Sequence, residues 1–177
     1  MLPAGDYVGE PRVVARLKGR GSADDRPGRF EGTRRVAEDD GWPGDGETDA
    51  PARVPTEITT ETARSILSHN QSPDVPFATS INPYRGCEHG CIYCYARPTH
   101  AYLNLGPGID FETRLTAKTN AAELLRRELG RPGYTCTPIA LGANPDAYQP
   151  AERTQRITRR VLEGLAEWNG RFATVRR

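Results

Sequence analysis

The 177-residue sequence lacks the features that would assign it to a membrane or to a charged polymer. No apolar run approaches the roughly 18 residues needed to cross a bilayer. The first residues lack the basic-then-apolar order of a secretory signal, so the cytoplasm is the expected location. Lysine plus arginine (24) nearly equals aspartate plus glutamate (23), so the whole chain has no excess charge with which to coat nucleic acid or an anionic membrane.

The sequence is also poor in hydrophobic residues, at 36 %, and no internal repeat is visible. Nine of its 18 glycines fall within the first 50 residues, together with charged clusters and little periodic apolar pattern. Such a segment cannot bury enough apolar surface to offset the entropy of ordering it. We therefore predict that residues 1–56 form an arm that is flexible or draped over another surface. Within it, Arg16–Gly21 is typical either of arginine–glycine elements that track phosphates or of a solvated tail.

From residue 57 onward, short strand patterns alternate with helical ones. Residues 57–76 are predicted to form a lead-in helix, starting near Thr56 and ending near Leu67, and then a linker interrupted by prolines. In the remaining core, 77–177, strands are predicted at 77–81, 138–142 and 171–175, and helices at 120–129 and 154–168. This alternation predicts βαβ units, a parallel sheet and the α/β fold class.

Three of the four cysteines lie in one loop after the first core strand. Cys87, Cys91 and Cys94 have the spacing C-x3-C-x2-C, and Gly86 and Gly90 allow the backbone to curl until three thiolates point at one place. Three clustered cysteines cannot all pair as disulfides. The spacing therefore predicts a metal centre.

Two metal centres remain open from the spacing. Three thiolates can hold a 4Fe–4S cluster and leave one iron open to a small molecule. Zinc would take a fourth ligand, which His89 or His100 could supply. Three unligated core cysteines are disfavoured because the loop is rich in polar residues and glycine. Cys136 lies outside the motif and is interpreted as a buried or surface thiol.

The segment Cys87-Glu88-His89-Gly90-Cys91-Ile92-Tyr93-Cys94 resembles the signature of the radical S-adenosylmethionine (SAM) superfamily, with Tyr93 at its aromatic position. The wider segment 80–102 is similar to a bacterial branch grouped with spore photoproduct lyase-like enzymes. Further similar stretches bring the resemblance to roughly residues 18–172; they are 28–31, 36–42, 110–113, 138–142 and 146–150.

This resemblance implies a fold, two cofactors and a reaction. The fold would be the N-terminal part of a partial (βα) barrel. Cys87, Cys91 and Cys94 would hold three irons of a 4Fe–4S cluster, and SAM would chelate the fourth. An external one-electron reductant of flavodoxin or ferredoxin type would drive cleavage of SAM to a 5′-deoxyadenosyl radical. The lyase kinship implies a nucleic-acid lesion as a candidate substrate. No membrane partner is expected, because no apolar run is long enough to cross a bilayer.

The resemblance also implies SAM-binding residues. Tyr93 would lie near the adenine, and the loop that contains Gly142, Asn144 and Asp146 would contact the amino group of SAM. For Asn144 and Asp146, a turn-forming role is the alternative.

The remaining expectations concern two arginines and two features in which the chain departs from the pattern of the branch. Arg85 and Arg97 would bind an anionic group or be solvated or salt-bridged. Pro145 stands where the branch usually has Thr, which restrains Asn144 and removes a backbone donor. The chain also ends earlier than members of the branch, so we expect a truncated product or a fragment. The alternative function is a non-catalytic metal-binding remnant with a structural zinc or cluster.

Overall fold

The computed structural model describes residues 20–22, 54–168 and 172–174. The rest of the predicted arm lies outside the described residues. The strands are β1 (Glu57–Glu61), β2 (Leu67–His69), β3 (Thr79–Ile81), β4 (Tyr84–Arg85), β5 (Arg114–Lys118), β6 (Ile139–Leu141) and β7 (Phe172–Thr174). The helices are a 3-10 helix (Arg97–Leu103), α1 (Ile109–Thr113), α2 (Ala121–Leu129), α3 (Glu152–Gln155) and α4 (Ile157–Glu167).

The strands form two small sheets. In the larger sheet, with order β2-β3-β6-β7, the strands β3, β6 and β7 run parallel and β2 pairs antiparallel with β3. In the smaller sheet, with order β1-β5-β4, β1 is parallel to β5 and β4 is antiparallel to it. The α/β class is therefore confirmed, and the described residues form open sheets, not a closed barrel.

The predicted core strands and the first core helix are confirmed with shorter bounds. β3, β6 and β7 lie within the three predicted strands, and α2 ends at Gly130 as expected. α2 packs against α4, and the core between them includes the fully buried Leu125, Val161 and Leu165. On the apolar side of α4, Ile157, Val161 and Leu165 are buried and Leu162 is half-buried, whereas Trp168, just past the helix end, is 48 % exposed. Among the described residues, no helix is both long and apolar enough to cross a membrane.

The predicted lead-in helix is wrong, because the segment contributes a strand to each sheet. Ile58, Thr59 and Thr60 are β-branched, and such side chains favour extended backbone that pairs with a neighbour. All five residues of β1 pair with β5, from Glu57 opposite Arg114 to Glu61 opposite Lys118. The pairing with β5 outweighs the local helical pattern and determines the extended conformation of β1. Residues 57–69 therefore belong to the fold instead of forming a separate lead-in.

Two side chains of the α2 region hold the turn between β1 and β2. The Asn120 side chain accepts from the Ala63 N–H at 3.0 Å and donates to the Ala63 carbonyl at 2.9 Å. At the other end of α2, the buried Glu128 carboxylate accepts from the N–H groups of Ile66 at 3.0 Å and Leu67 at 3.1 Å. These bonds replace the ones that a helix would have made.

The predicted helix 154–168 is two helices. Arg156, with φ 51°, interrupts the pattern between α3 and α4. The Glu152 carboxylate accepts from the N–H groups of Thr158 and Arg159, each at 3.0 Å, and so caps the first turn of α4. The cap explains why α4 begins at Ile157: these donors would otherwise have no partner within the helix.

We predict that Glu128→Ala lowers the free energy of unfolding by about 3 kcal/mol, because it leaves two buried N–H donors without an acceptor. Glu123→Ala is the matched control, since Glu123 lies on the same helix and is exposed. Urea unfolding followed by circular dichroism measures both variants. Equal stability of the two variants would contradict the role assigned to Glu128.

Candidate metal centre

Two loops meet where the parallel strands β3 and β6 end. Ile81 is opposite Leu141 in the register, so the two strands end at the same level. The Gly142 N–H donates to the Ile81 carbonyl at 2.9 Å, and the Asn144 N–H donates to Asn82 Oδ1 at 2.8 Å. The carboxyl edge of a parallel sheet is where open α/β folds bind ligands. The segments that follow the two strands therefore lie side by side at this edge.

The three cysteines of the motif line one cavity of about 220 Å³ at this edge. The remaining lining residues are His89, Gly90, Tyr93, Phe111 and Asp146. Among the described residues, none of the three motif cysteines forms a disulfide. The structure thus brings together the residues that the spacing predicts to share a site.

Both glycines of the cysteine loop have the positive φ that a tight curl requires, 76° at Gly86 and 65° at Gly90. At Gly86 the available space adds a second restriction, since a Cβ there would lie 2.9 Å from the Phe111 carbonyl oxygen. The Cys87 N–H donates to that same oxygen at 2.8 Å. The sequence-based account of the two glycines is confirmed.

The thiols differ in their surroundings. Cys87 is buried, and burial raises the pKa of its thiol to about 11. It is therefore protonated at neutral pH, and a metal that binds there must displace the proton. Cys91 and Cys94 are half-buried. Cys136 is exposed, which confirms the surface alternative for that residue.

The donor set fits a thiolate-bound metal in chemical type. Thiolates are the usual ligands of iron–sulfur clusters and common ligands of zinc. His89 adds an imidazole to the cavity wall, which zinc also accepts. In the part of the chain that the structure describes, however, no set of three or more His, Cys, Asp or Glu side chains has the arrangement of a metal site.

The residues predicted to contact SAM divide into two groups. Tyr93 lines the cavity with its side chain 79 % exposed, and Asp146 lines it from the second loop. Gly142 and Asn144 are not among the lining residues. Gly142 has φ 74°, and a Cβ there would lie 2.7 Å from the Ala147 nitrogen, so it shapes the turn. The Asn144–Pro145 peptide bond is cis.

Asp146 connects the two loops. Its Oδ1 accepts from the Tyr148 N–H at 2.7 Å, the Asx turn that the sequence left open. Its Oδ2 lies 3.6 Å from Nε2 of His89 in the cysteine loop. The carboxylate therefore has a turn-forming role and a place in the cavity wall.

The other sequence candidates are structural. His100 is buried, its Nε2 donates to the Arg114 carbonyl at 3.0 Å, and burial lowers the pKa of its imidazole. It also packs edge-on against Phe111, with ring centroids 5.4 Å apart. Arg85 pairs with Glu61 at 3.1 Å. The salt-bridged alternative is therefore confirmed for Arg85.

Arg97 and Glu112 form a buried ion pair beside the cysteine loop, with side chains 11 % and 0 % exposed. Arg97 also donates to the carbonyls of Cys91 at 3.0 Å, Pro107 at 3.2 Å and Gly108 at 3.0 Å. The salt-bridged alternative is confirmed for Arg97 too. Glu112 was missed: the sequence shows it in a stretch similar to the family but carries no sign of burial.

Gln149 is a second residue that the sequence analysis missed. It is 1 % exposed, its Nε2 donates to the Gly86 carbonyl at 3.1 Å, and its Oε1 accepts from the Glu88 N–H at 3.2 Å. One amide thus holds the backbone on both sides of Cys87. A glutamine in a predicted loop gives no signal of such a contact.

This chain is similar to proteins of two mycobacteria and of Methanocaldococcus jannaschii. An uncharacterised protein of Mycobacterium tuberculosis, Rv2578c, and one of Mycobacterium bovis, Mb2609c, are each 48 % identical over 92 residues, which are 52 % of this chain and 27 % of the relative. The uncharacterised protein MJ0683 of Methanocaldococcus jannaschii is 29 % identical over 85 residues, 48 % of this chain and 30 % of the relative. The match thus spans about a quarter of the mycobacterial relatives.

No family model matches the chain. No solved structure matches it either.

We predict that Gln149→Leu lowers the free energy of unfolding by about 2 kcal/mol, since it removes the partners of a buried carbonyl and a buried N–H. Hydrogen exchange of the peptide around Glu88 should accelerate, because that amide loses its acceptor. The matched control is Gln155→Leu, at the end of α3 and outside the cysteine loop. An unchanged hydrogen-exchange rate at the Glu88 amide in Gln149→Leu would contradict the role assigned to the hydrogen bond between Glu88 and Gln149.

Proposed function

We propose that this chain is the cluster-binding part of a radical SAM enzyme. Cys87, Cys91 and Cys94 would hold three irons of a 4Fe–4S cluster, and SAM would occupy the fourth. The observation that carries the proposal is the shared cavity of the three thiols at the carboxyl edge of parallel strands. The chemistry that such a cluster supplies is reductive cleavage of SAM to a 5′-deoxyadenosyl radical, with the electron from a flavodoxin- or ferredoxin-type reductant.

The chain's own residues would prepare the site in three ways. Gly86 and Gly90 give the cysteine loop its curl. Gln149 and Arg97 hold the loop's backbone through side-chain hydrogen bonds to its carbonyl and N–H groups. The buried surroundings of Cys87 exclude water from one thiol, and a dry thiolate environment favours tight metal binding once the proton has left.

The place for SAM would be the wall formed by Tyr93 and Asp146. Tyr93 presents an exposed ring at the cavity, suited to stacking on an adenine. Asp146 presents a carboxylate, suited to accept from an ammonium group. Gly142 and Asn144 would act indirectly, by shaping the loop that carries Asp146.

The parallel strands of the larger sheet support this proposal. β3, β6 and β7 are neighbouring parallel strands of the larger sheet, with α2 preceding β6 and α4 preceding β7, an arrangement that a partial (βα) barrel would also contain. A nucleic-acid lesion as substrate rests on the resemblance to spore photoproduct lyase-like proteins alone.

A second candidate function is a non-catalytic protein that holds a structural zinc. The observation that favours it is His89, whose imidazole lines the same cavity as the three thiols and would complete a Cys₃His set. A closed set of four protein ligands would leave no position for SAM. The two functions therefore differ in the metal that is bound and in the response to SAM.

Anaerobic reconstitution with iron and sulfide distinguishes the two candidates. We expect about four irons per chain in the wild type and a large loss in Cys87→Ala, Cys91→Ala and Cys94→Ala. Cys136→Ala is the matched control and should keep its iron, because that thiol is exposed and outside the cavity. Electron paramagnetic resonance of the dithionite-reduced protein should change when SAM is added.

Two results would contradict the proposal. Colourless protein that retains one zinc per chain and takes up no iron would favour the structural-zinc candidate. If the resonance signal of the reduced cluster does not change when SAM is added, the protein binds a cluster but not SAM, and the radical SAM assignment is wrong.

A further inference from the structure

A short segment far upstream in the chain docks beside the cysteine loop. The N–H groups of Gly21 and Ser22 donate to Oε2 and Oε1 of Glu112, each at 2.9 Å. Arg20 donates to the Glu112 carbonyl at 2.9 Å, and to the Val54 carbonyl and Thr56 Oγ1, both at 2.8 Å. We call residues 20–22 the strap. It lies in the predicted arm, and these contacts agree with the draped alternative for that part of the arm.

The strap is connected to the cysteine motif through two buried charges. The Glu112 carboxylate, 0 % exposed, accepts from the strap and from Arg97, and Arg97 in turn donates to the Cys91 carbonyl at 3.0 Å. A carboxylate removed from water must be matched by donors, and the strap supplies two of them. Loss of the strap would therefore unbalance the ion pair that holds Cys91.

The strap also contacts the cysteine loop directly. A Cβ added at Gly21 would lie 1.7 Å from the Gly90 carbonyl oxygen and 3.3 Å from Ile92 Cγ2. Gly21 does not have the left-handed φ that would itself disfavour alanine, so the restriction is one of space. The backbone of the strap at Gly21 contacts the backbone of the cysteine loop at Gly90, and a side chain at Gly21 would separate the two segments.

We propose that the strap is a positioning element of the cysteine site. It fixes the Gly90–Cys91 backbone, directly at Gly90 and through Glu112 and Arg97 at Cys91. Docking keeps the Cys91 thiol shielded in the metal-free chain and slows metal loss from the loaded chain. The statement about metal loss rests on the proposed function, whereas the shielding of Cys91 does not.

The first test is the alkylation rate of each cysteine in the metal-free full chain, followed by mass spectrometry of the peptides. Gly21→Ala should raise the rate at Cys91 about tenfold, the change expected when hydrogen bonds to a charged group no longer oppose local opening. Cys136 is the internal control. Gly164→Ala is the matched glycine control, because a Cβ there meets only ordinary contacts, the nearest at 3.6 Å.

A second variant keeps the test decisive if Gly21→Ala folds poorly. Arg20→Ala adds no bulk and removes the three side-chain bonds of the strap, so it should raise the Cys91 rate in the same direction. Arg20→Lys should restore part of the shielding, since it keeps the charge. Unchanged Cys91 rates in both Gly21→Ala and Arg20→Ala would overturn the proposal. An equal rise at Cys91 in Gly164→Ala would also overturn it, because the effect would then be general loosening.

Iron release to a chelator from the reconstituted full chain is the second readout. Release should be faster in Gly21→Ala than in Gly164→Ala. If the wild type assembles no cluster while the Cys91 rates still respond, the proposed function fails and the shielding role of the strap stands. If the cluster assembles and neither readout responds, the strap's role fails and the proposed function stands.

Discussion

The pairing of β3 with β6 is the constraint on which the site depends. Because the two strands are parallel and end at the same level, the loops that follow them must leave the sheet side by side. The segment after β3 passes through β4 and then carries the three cysteines, and the loop after β6 carries Asp146 and Gln149. A shift of this register by one residue would turn every side chain of the shifted strand to the opposite face and displace one loop relative to the other. The position of the cavity is therefore determined first by the pairing of these strands and only then by the cysteine motif.

Two buried glutamates, Glu128 and Glu112, and the half-buried Glu152 organise the irregular parts of the chain around that sheet. Glu128 accepts from the turn before β2, Glu152 caps α4, and Glu112 accepts from the strap. In each case a carboxylate collects backbone N–H groups that no regular element satisfies. A buried acceptor of this kind is stable only when its donors are in place, which makes each of these loops specific in conformation.

The sequence analysis correctly predicted elements whose conformation is determined by residues close by in the chain. The curl at Gly86 and Gly90, the strands β3 and β6, and the helix α2 follow from short-range features, whereas β4 and β5 were not predicted. It failed at the helix break at Arg156, which a local cap from Glu152 accompanies, and at β1, where the distant strand β5 decides the conformation. Gln149 and Glu112 were missed for the same reason, since their partners lie far away in the chain.

The separation in sequence of these contacts determines when the site can form. Gly21 is 91 residues from Glu112, and Gln149 is 63 residues from Gly86. Closing such long loops costs chain entropy before any contact repays it, so the site belongs to the late events of folding. During synthesis the strap emerges long before its acceptor, and the cysteine loop emerges before the glutamine that fixes it. We therefore expect a nascent chain to expose its three thiols to the cell until residue 149 has left the ribosome.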